Sequence, residues 1–458
     1  MTAQVGAQTN GLPKLSLKTI WLMNFGFLGV QTAFTLQSSQ MSRIFQTIGA
    51  DPGHLGWFFI LPPLAGLITQ PIVGHYSDRT WWPKLGGRRL PYLIMGTAVA
   101  VIVMLLLPNA GSFNFATVTA ALVFGAVVIA FLDVSSNVAM QPFKMMVGDM
   151  VNEEQKGYAY GIQSFFSNFG SVIAAIFPFV LTAFGVANIA AAGEVPDSVK
   201  ISFYVGAALL LITTVLTVAK VKEYDPPTYA RYHNLAVEES GKKEKGEPWY
   251  KLLASAPKTF WTVTVVQFFS WFAFQYMWTY SAGAIARNVW DTTDATSAGY
   301  QDAGNWYGVL AAVQSVAAVI WSYVLAKVDP AYHKICYSLS LALGGLGLAS
   351  VAFVSNQYVL IGSYVLVGIA WAAILTYPLT FVTNALNAEN KSKDMGSYLG
   401  LFNGSICLPQ IVASVASFAI YPLIGSSQSG MFYIAGVALL LGALAVHYIK
   451  PEHEKVNA

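Results

Sequence analysis

FATVTAALVFGAVVIAFLDVSSNVAMQP, residues 115–142, holds one ionisable side chain, Asp133, among apolar and small polar residues. A bilayer crossing needs about 20 mostly apolar residues, so the stretch predicts a membrane-spanning helix with an acid set inside it. The rest of the chain repeats the pattern. Comparable runs lie near 19–41, 53–76, 90–108, 158–186, 200–220, 259–286, 303–326, 334–354, 357–381, 396–421 and 430–449, which with 115–142 makes twelve. Pro62, Pro63, Pro178, Pro378 and Pro409 fall inside these runs; packed membrane helices tolerate such breaks because their neighbours satisfy the freed backbone groups. The 458 residues are 55% apolar and 10% charged, against about 25% charged in a soluble domain. The expected product is an all-α membrane protein with twelve transmembrane helices and the lipid bilayer as its partner.

Charge placement orients the spans. Of the 25 lysines and arginines, 22 fall on the side that holds both termini, and only Arg43, Lys200 and Arg287 on the other. Basic loops stay in the cytoplasm, so both termini are expected there. The one long polar stretch contains Pro226-Pro227 and the run GKKEKGE. It divides the chain into an N-terminal six-helix bundle, 1–220, a solvated cytoplasmic linker, 221–257, and a C-terminal six-helix bundle, 258–458. Two joined six-span halves outline a major-facilitator fold.

Asp133 is expected to be the only charged side chain deep in any span. Carrying such a charge to the bilayer centre costs roughly 2.5–3.5 kcal/mol on insertion scales. Burial disfavours the charged form, so an acid there is suited to binding and releasing a proton. Ser136, Asn137 and Gln141, three, four and eight residues on, share its helical face.

Four other spans carry polar stripes. The first has Asn24, Gln31, Thr35 and Ser38, with Gln37 one step aside; the fifth has Gln163, Ser164, Ser167, Asn168 and Ser171. The seventh has Gln267, Trp271, Gln275 and Trp278; the tenth has Trp371, Thr376, Tyr377 and Asn384. Amides and hydroxyls satisfy many hydroxyl groups at once, and indole faces stack on sugar rings. Neutral stripes with aromatics therefore suit a polyhydroxyl solute better than an ion or a lipid. The same residues also join helices to one another, and each stripe alone is weak.

After the second span come GHYSDR, 74–79, and TWWPKLGGRR, 80–89. Gly74 permits close helix approach, Asp78 followed by Arg79 can pair near a neighbouring helix end, and Arg88 and Arg89 anchor the cytoplasmic face. Other chemistries are not expected. Cys336 and Cys407 lack CxxC or CxxH neighbours, and His54, His75 and His447 sit at span ends, so no metal, cofactor or enzyme site is read. The basic residues form no nucleic-acid footprint.

Taken together, these motifs resemble the sucrose–proton symporters of plants and the related solute-carrier family 45, within the glycoside-pentoside-hexuronide group of the major facilitator superfamily. The resemblance rests on GVQTAFTLQSS (29–39) with Gln31 and Gln37, on QPIVGHYSDR with GGRRLP, and on FLDVSSNVAMQPFKMMVGDM (131–150). SFF (164–166), FFSWFAF (268–274) with Arg287, and LGLFNGSICLPQIVASV (399–415), which contains Asn403, add to it. It implies that Asp133 is the proton-coupling carboxylate with Asn137 beside it, that Lys144 and Asp149 join the gating set, and that the chain works as a monomer. The substrate-binding set becomes Gln31, Gln37, Asp133, Asn137, Gln163, Asn168, Trp271, Gln275, Trp278, Tyr377 and Asn403. The expected activity is proton-coupled import of a sugar such as sucrose or maltose, across a bacterial inner membrane. A uniporter or sodium-driven symporter is the alternative, and a non-transporting sugar receptor a remote one. Departures from the plant pattern are Ser281 and Gly283, where acids stand near the outer end of the seventh helix, and Lys144 in place of arginine.

Overall fold

The computed structural model describes residues 12–77, 80–232, 248–391 and 395–450. Regular structure among them is helical. The first half holds α1 (Leu17–Ile48), α2 (Gly56–Phe59), α3 (Leu61–Ser77), α4 (Leu90–Leu106), α5 (Val118–Met150), α6 (Glu153–Ala183) and α7 (Asp197–Lys220). Two short helices follow, α8 (Pro226–Tyr232) and α9 (Trp249–Ala254). The second half holds α10 (Lys258–Trp290), α11 (Ala298–Leu325), α12 (His333–Val351), α13 (Val359–Ala388), α14 (Met395–Phe402), α15 (Gly404–Leu423) and α16 (Gln428–Ala445). The second and eleventh spans are each made of two helices, α2 with α3 and α14 with α15.

Local sequence sets the helix ends. The side chains of Ser16, Thr117, Asn152, Ser297 and Ser427 each accept a bond from a backbone N–H of the first turn of the helix that follows. Gly49 closes α1 with φ 120, and a Cβ there would meet Val118 at 2.9 Å.

Ten helical spans among the described residues are long and apolar enough to cross a membrane. The two long helices that fall short are α1, of 32 residues, and α10, of 33. Each opens its half, and each carries buried polar side chains: Asn24, Gln37, Gln40, Arg43 and Gln46 in α1, Gln267 and Gln275 in α10. Other helices rather than lipid surround them, so hydropathy understates their burial. They complete the twelve.

Helices also extend past the predicted spans. A 33-residue helix such as α5 is about 50 Å long, longer than the hydrocarbon layer, and hydropathy registers only the part inside lipid. One consequence corrects the sequence reading. α1 continues to Ile48, so Arg43, expected in an exposed loop, is fully buried within a helix. Asp133 is therefore not the only charge buried in a long helix.

Within the first half, α1 packs on α5, α6 and α7, and α4 on α5 and α7; within the second, α10 packs on α11, α15 and α16, and α12 on α13 and α16. The halves meet chiefly where α6 faces α11, with α1 against α10 and α15 against α2 and α3.

Candidate functional site

A cavity of about 630 Å³ lies between the halves. Its first-half wall is polar. Gln31, Thr35 and Ser38 of α1 face Gln163, Ser167, Asn168 and Ser171 of α6, with Asn137 of α5 and Gln70 of α3 beside them. Ser167 donates to Gln31 Oε1 at 3.2 Å and Thr35 to Ser171 Oγ at 3.0 Å. Gln163 donates from Nε2 to Asn24 Oδ1 and to the Phe143 carbonyl, both at 3.1 Å, and so ties α6 to α1 and α5. The second-half wall is aromatic. Trp271 and Trp278 of α10 and Trp371 of α13 touch one another, with ring centroids 5.5 to 6.4 Å apart. Tyr307 and Gln314 of α11, Asn403 and Gln410 complete it. Asn403 stands at the junction of α14 and α15, where its Nδ2 reaches Cys407 Sγ at 3.8 Å.

The cavity reaches toward the termini, where Tyr160, near the start of α6, is on its lining and exposed. The opposite, far end is shut by bonds between the halves. Ser42 donates to the Thr279 carbonyl at 2.6 Å, and Gln46 and Gln428 exchange amide bonds at 2.9 and 3.2 Å. A Cβ on Gly308 of α11 would come within 2.1 Å of the Ala175 carbonyl of α6, so only glycine allows this approach.

Of the expected solute contacts, Gln31, Asn137, Gln163, Asn168, Trp271, Trp278 and Asn403 line the cavity. Gln275, Tyr377, Gln37 and Asp133 do not. Gln275 donates to the Phe59 carbonyl at 2.7 Å and to Ser414 Oγ at 2.9 Å. Pro63, four residues after Phe59, has no N–H to offer that carbonyl, and Gln275 fills the gap from the other half. Tyr377 is buried against Tyr337, Phe381 and His333 on the α12 side. The sequence reading passed over Gln70, Tyr307, Gln314 and Gln410. Tyr307 and Gln314 stand two helical turns apart on α11, a stripe too sparse to register alone.

Asp133 sits near the middle of α5, about 22 Å from its start at Val118. It is 1% exposed and lies one turn deeper than Asn137, which does line the cavity. Gln37 Nε2 donates to Asp133 Oδ1 at 2.5 Å. Asp133 Oδ2, Gln37 Oε1 and Ser136 Oγ are buried with no hydrogen-bond partner. Asn137 donates to the Asp133 carbonyl at 2.8 Å and accepts from Gln70 at 3.0 Å, which links the acid's own backbone to the cavity wall. The carboxyl thus has one oxygen held and one without a partner.

The gating set gathers at the termini end. Asp149 Oδ2 lies 3.0 Å from both Arg88 Nη2 and Arg89 Nε. Arg89 also donates to Ser77 Oγ at 2.5 Å, and Gly74 faces Met145 of α5. Lys144 is exposed on α5. Asp78 and Arg79 lie outside the described residues. Two members come from the segment read as a solvated linker. Glu223 accepts from the backbone N–H of Arg89 at 2.8 Å and of Leu90 at 3.0 Å, capping α4. Burial pushes its carboxyl above the usual range, and those N–H bonds oppose the shift. Tyr229 donates to Asp149 at 3.3 Å and lies under the Arg88 guanidinium at 3.7 Å.

Twelve helices in a membrane, with a polar cavity between two halves and one end shut, define a carrier that exposes its site to one side at a time. Residues 23–414 match the profile of the Major Facilitator Superfamily. The chain belongs to that family. Among curated proteins it is 22% identical to sucrose transport protein SUC4 of Arabidopsis thaliana, over 91% of this chain and 86% of that protein. It is 25% identical to sucrose transport protein SUT5 of Oryza sativa subsp. japonica, over 94% and 87%. Among solved structures it resembles the nucleoside transporter NupG with a TM-score of 0.65 at 14% identity, covering 95% of this chain and 99% of that one. The partially occluded inward-open form of the xylose transporter XylE from E. coli matches equally, with TM-score 0.65, 14% identity and coverage of 95% and 99%.

Proposed function

We propose that this chain imports a sugar, a disaccharide or glucoside of the sucrose or maltose type, together with a proton. Two bundles, 1–220 and 258–458, would rock about the cavity in a cytoplasmic membrane with both termini inside. The observation that carries the reading is Asp133: a buried carboxyl at mid-helix, one oxygen held by Gln37 and the other without a partner, one turn from the cavity wall. The neutral acid is the state that tolerates burial. Asp133 takes a proton when the far end is open, sugar seats between the amide and indole walls, and the halves exchange contacts. The proton leaves once the cavity faces the termini, as it does here. One proton falling through 100 mV supplies about 2.3 kcal/mol, enough for roughly fiftyfold accumulation. The sugar assignment is supported by the paired amide and indole walls, and by the sucrose transport proteins to which the chain is similar.

Proteoliposomes holding the full chain provide the test, with labelled sucrose, maltose and glucose on offer. An imposed inward proton gradient should drive uptake of a disaccharide above equilibrium, and replacing sodium with potassium at fixed pH should change nothing. Uptake that follows sodium would move the coupling to another ion. Counterflow of none of these sugars would sink the substrate class.

A further inference from the structure

Arg43 is the second charge buried in a long helix, and the proposed cycle has not yet used it. Its guanidinium is fully buried at the far end. Nε donates to Gln301 Oε1 at 2.7 Å, and Nη1 to Asn305 Oδ1 at 2.8 Å and to Gln40 Oε1 at 3.3 Å. Nη2 donates to Asn188 Oδ1 at 2.8 Å. All four acceptors are neutral amide oxygens. The carboxylate of Asp302 is bonded to this network through Asn188, which donates to it at 2.9 Å, and it attracts the guanidinium without bonding to it. The pocket is shaped for the arginine: a Cβ on Gly304 would come within 2.6 Å of Arg43 Cδ.

Gln301 and Asn305 belong to α11 of the second half, whereas Arg43, Gln40 and Asn188 belong to the first. The guanidinium therefore spans the seam that must part for the far end to open. Burying a cation with no carboxylate bonded to it is unfavourable, and the amide bonds with the more distant Asp302 offset only part of the cost. When the seam parts, the charge regains water. A carboxylate at the same place would make a buried ion pair, which is strongly unfavourable to break.

We propose that Arg43 is a self-releasing latch, a positioning residue that closes the far end and whose amide-only partners keep that closure reversible. The latch deepens the alternating-access part of the proposed function and is independent of which sugar or ion is carried. One structural link to the proton site exists. Gln37, which holds Asp133, lies on α1 six residues before Arg43, less than two helical turns away, with Gln40 between them bonded to Arg43.

The test supplies the missing counter-charge. In the full chain, with Cys336 and Cys407 replaced by serine, Ser42→Cys reports the far end; Ser42 is 2% exposed in the closed seal. A membrane-impermeant maleimide is added from the far side of sealed vesicles, without sugar. Asn305→Asp should pair with Arg43, cut labelling by about tenfold or more, and stop uptake. Adding Arg43→Gln to that variant removes the ion pair and should return labelling to at least the starting level. Should Asn305→Asp fail to assemble as a monodisperse protein, Gln301→Glu places a carboxylate on the Nε side and is read the same way. The latch is overturned by a folded carboxylate variant that labels and transports as the parent does. It is equally overturned if labelling stays suppressed after Arg43→Gln. Because labelling needs no substrate, a wrong sugar or coupling ion leaves this readout unchanged.

Discussion

The two walls of the cavity face each other and differ in what dominates them. The first-half wall is amide and hydroxyl, cross-bonded between α1, α5 and α6, with Asp133 directly behind it. The second-half wall is led by three tryptophans in mutual contact, with the amides of Gln314, Asn403 and Gln410 around them and no ionisable group among its lining residues beyond Tyr307 and Cys407. Under the proposed function this difference is a division of labour: the first half would meet hydroxyls and carry the proton, and the second would supply flat indole faces. A sugar ring has both kinds of surface, C–H faces and a hydroxyl rim, so it matches the two walls at once.

Substitutions on each side can break or sharpen this division. The largest effect is expected at Asp133→Asn, which keeps the bond from Gln37 and removes the titrating oxygen. Accumulation should fall from roughly fiftyfold to equilibrium, while sugar counterflow persists; the accumulation ratio in energised vesicles checks it. Trp371→Ala takes away the one α13 member of the tryptophan cluster, with both of its ring contacts. Aromatic contacts are worth about 0.5–1.5 kcal/mol each, so sugar affinity should weaken by about tenfold with the accumulation ratio unchanged, as read by binding calorimetry. On the opposite wall, Gln31→Ala loses one neutral hydrogen-bonding group worth about 1 kcal/mol. Affinity should drop about fivefold, and if accumulation collapses as well, the division between walls is wrong.

The smallest effect is expected away from both walls, at Glu223. Burial holds its carboxyl above the ordinary range, so the folded chain binds that proton more tightly than the unfolded one. The contribution is fully present below the unfolded value of 4.5 and is lost as pH rises through the raised folded value. Glu223→Gln keeps the acceptor for the α4 backbone and should flatten this part of the stability profile, shifting the melting midpoint by only a few degrees. Thermal scans across pH 4 to 8 would detect it.

Much of this arrangement was legible in the chain itself. Span count, the two halves and the buried acid follow from apolar length and from one carboxylate inside it. The polar stripes of α1 and α6 were readable because their residues recur on one helical face and both stripes line the cavity. What failed to show has physical causes. Arg43 looked like a loop residue because hydropathy ends where lipid ends, while α1 continues inside protein. Gln275 had the spacing of a wall residue, yet it is used by a backbone acceptor on α2 that no pattern within α10 reveals. Tyr377 shares a helix with Trp371 but lies on another of its faces, against α12. Glu223 and Tyr229 sit in a stretch whose polarity suggested water, and they are held by the arginines and Asp149 beside it.

Pro63 of α3 leaves the Phe59 carbonyl of α2 an unfilled socket, and the plug comes from across the seam. In the proposed cycle, parting of the halves at the far end would withdraw that plug and leave the Phe59 oxygen bare. A bare buried carbonyl is costly, so water would take the place of the lost donor. Opening in that cycle would thereby carry a hydration step at one peptide oxygen.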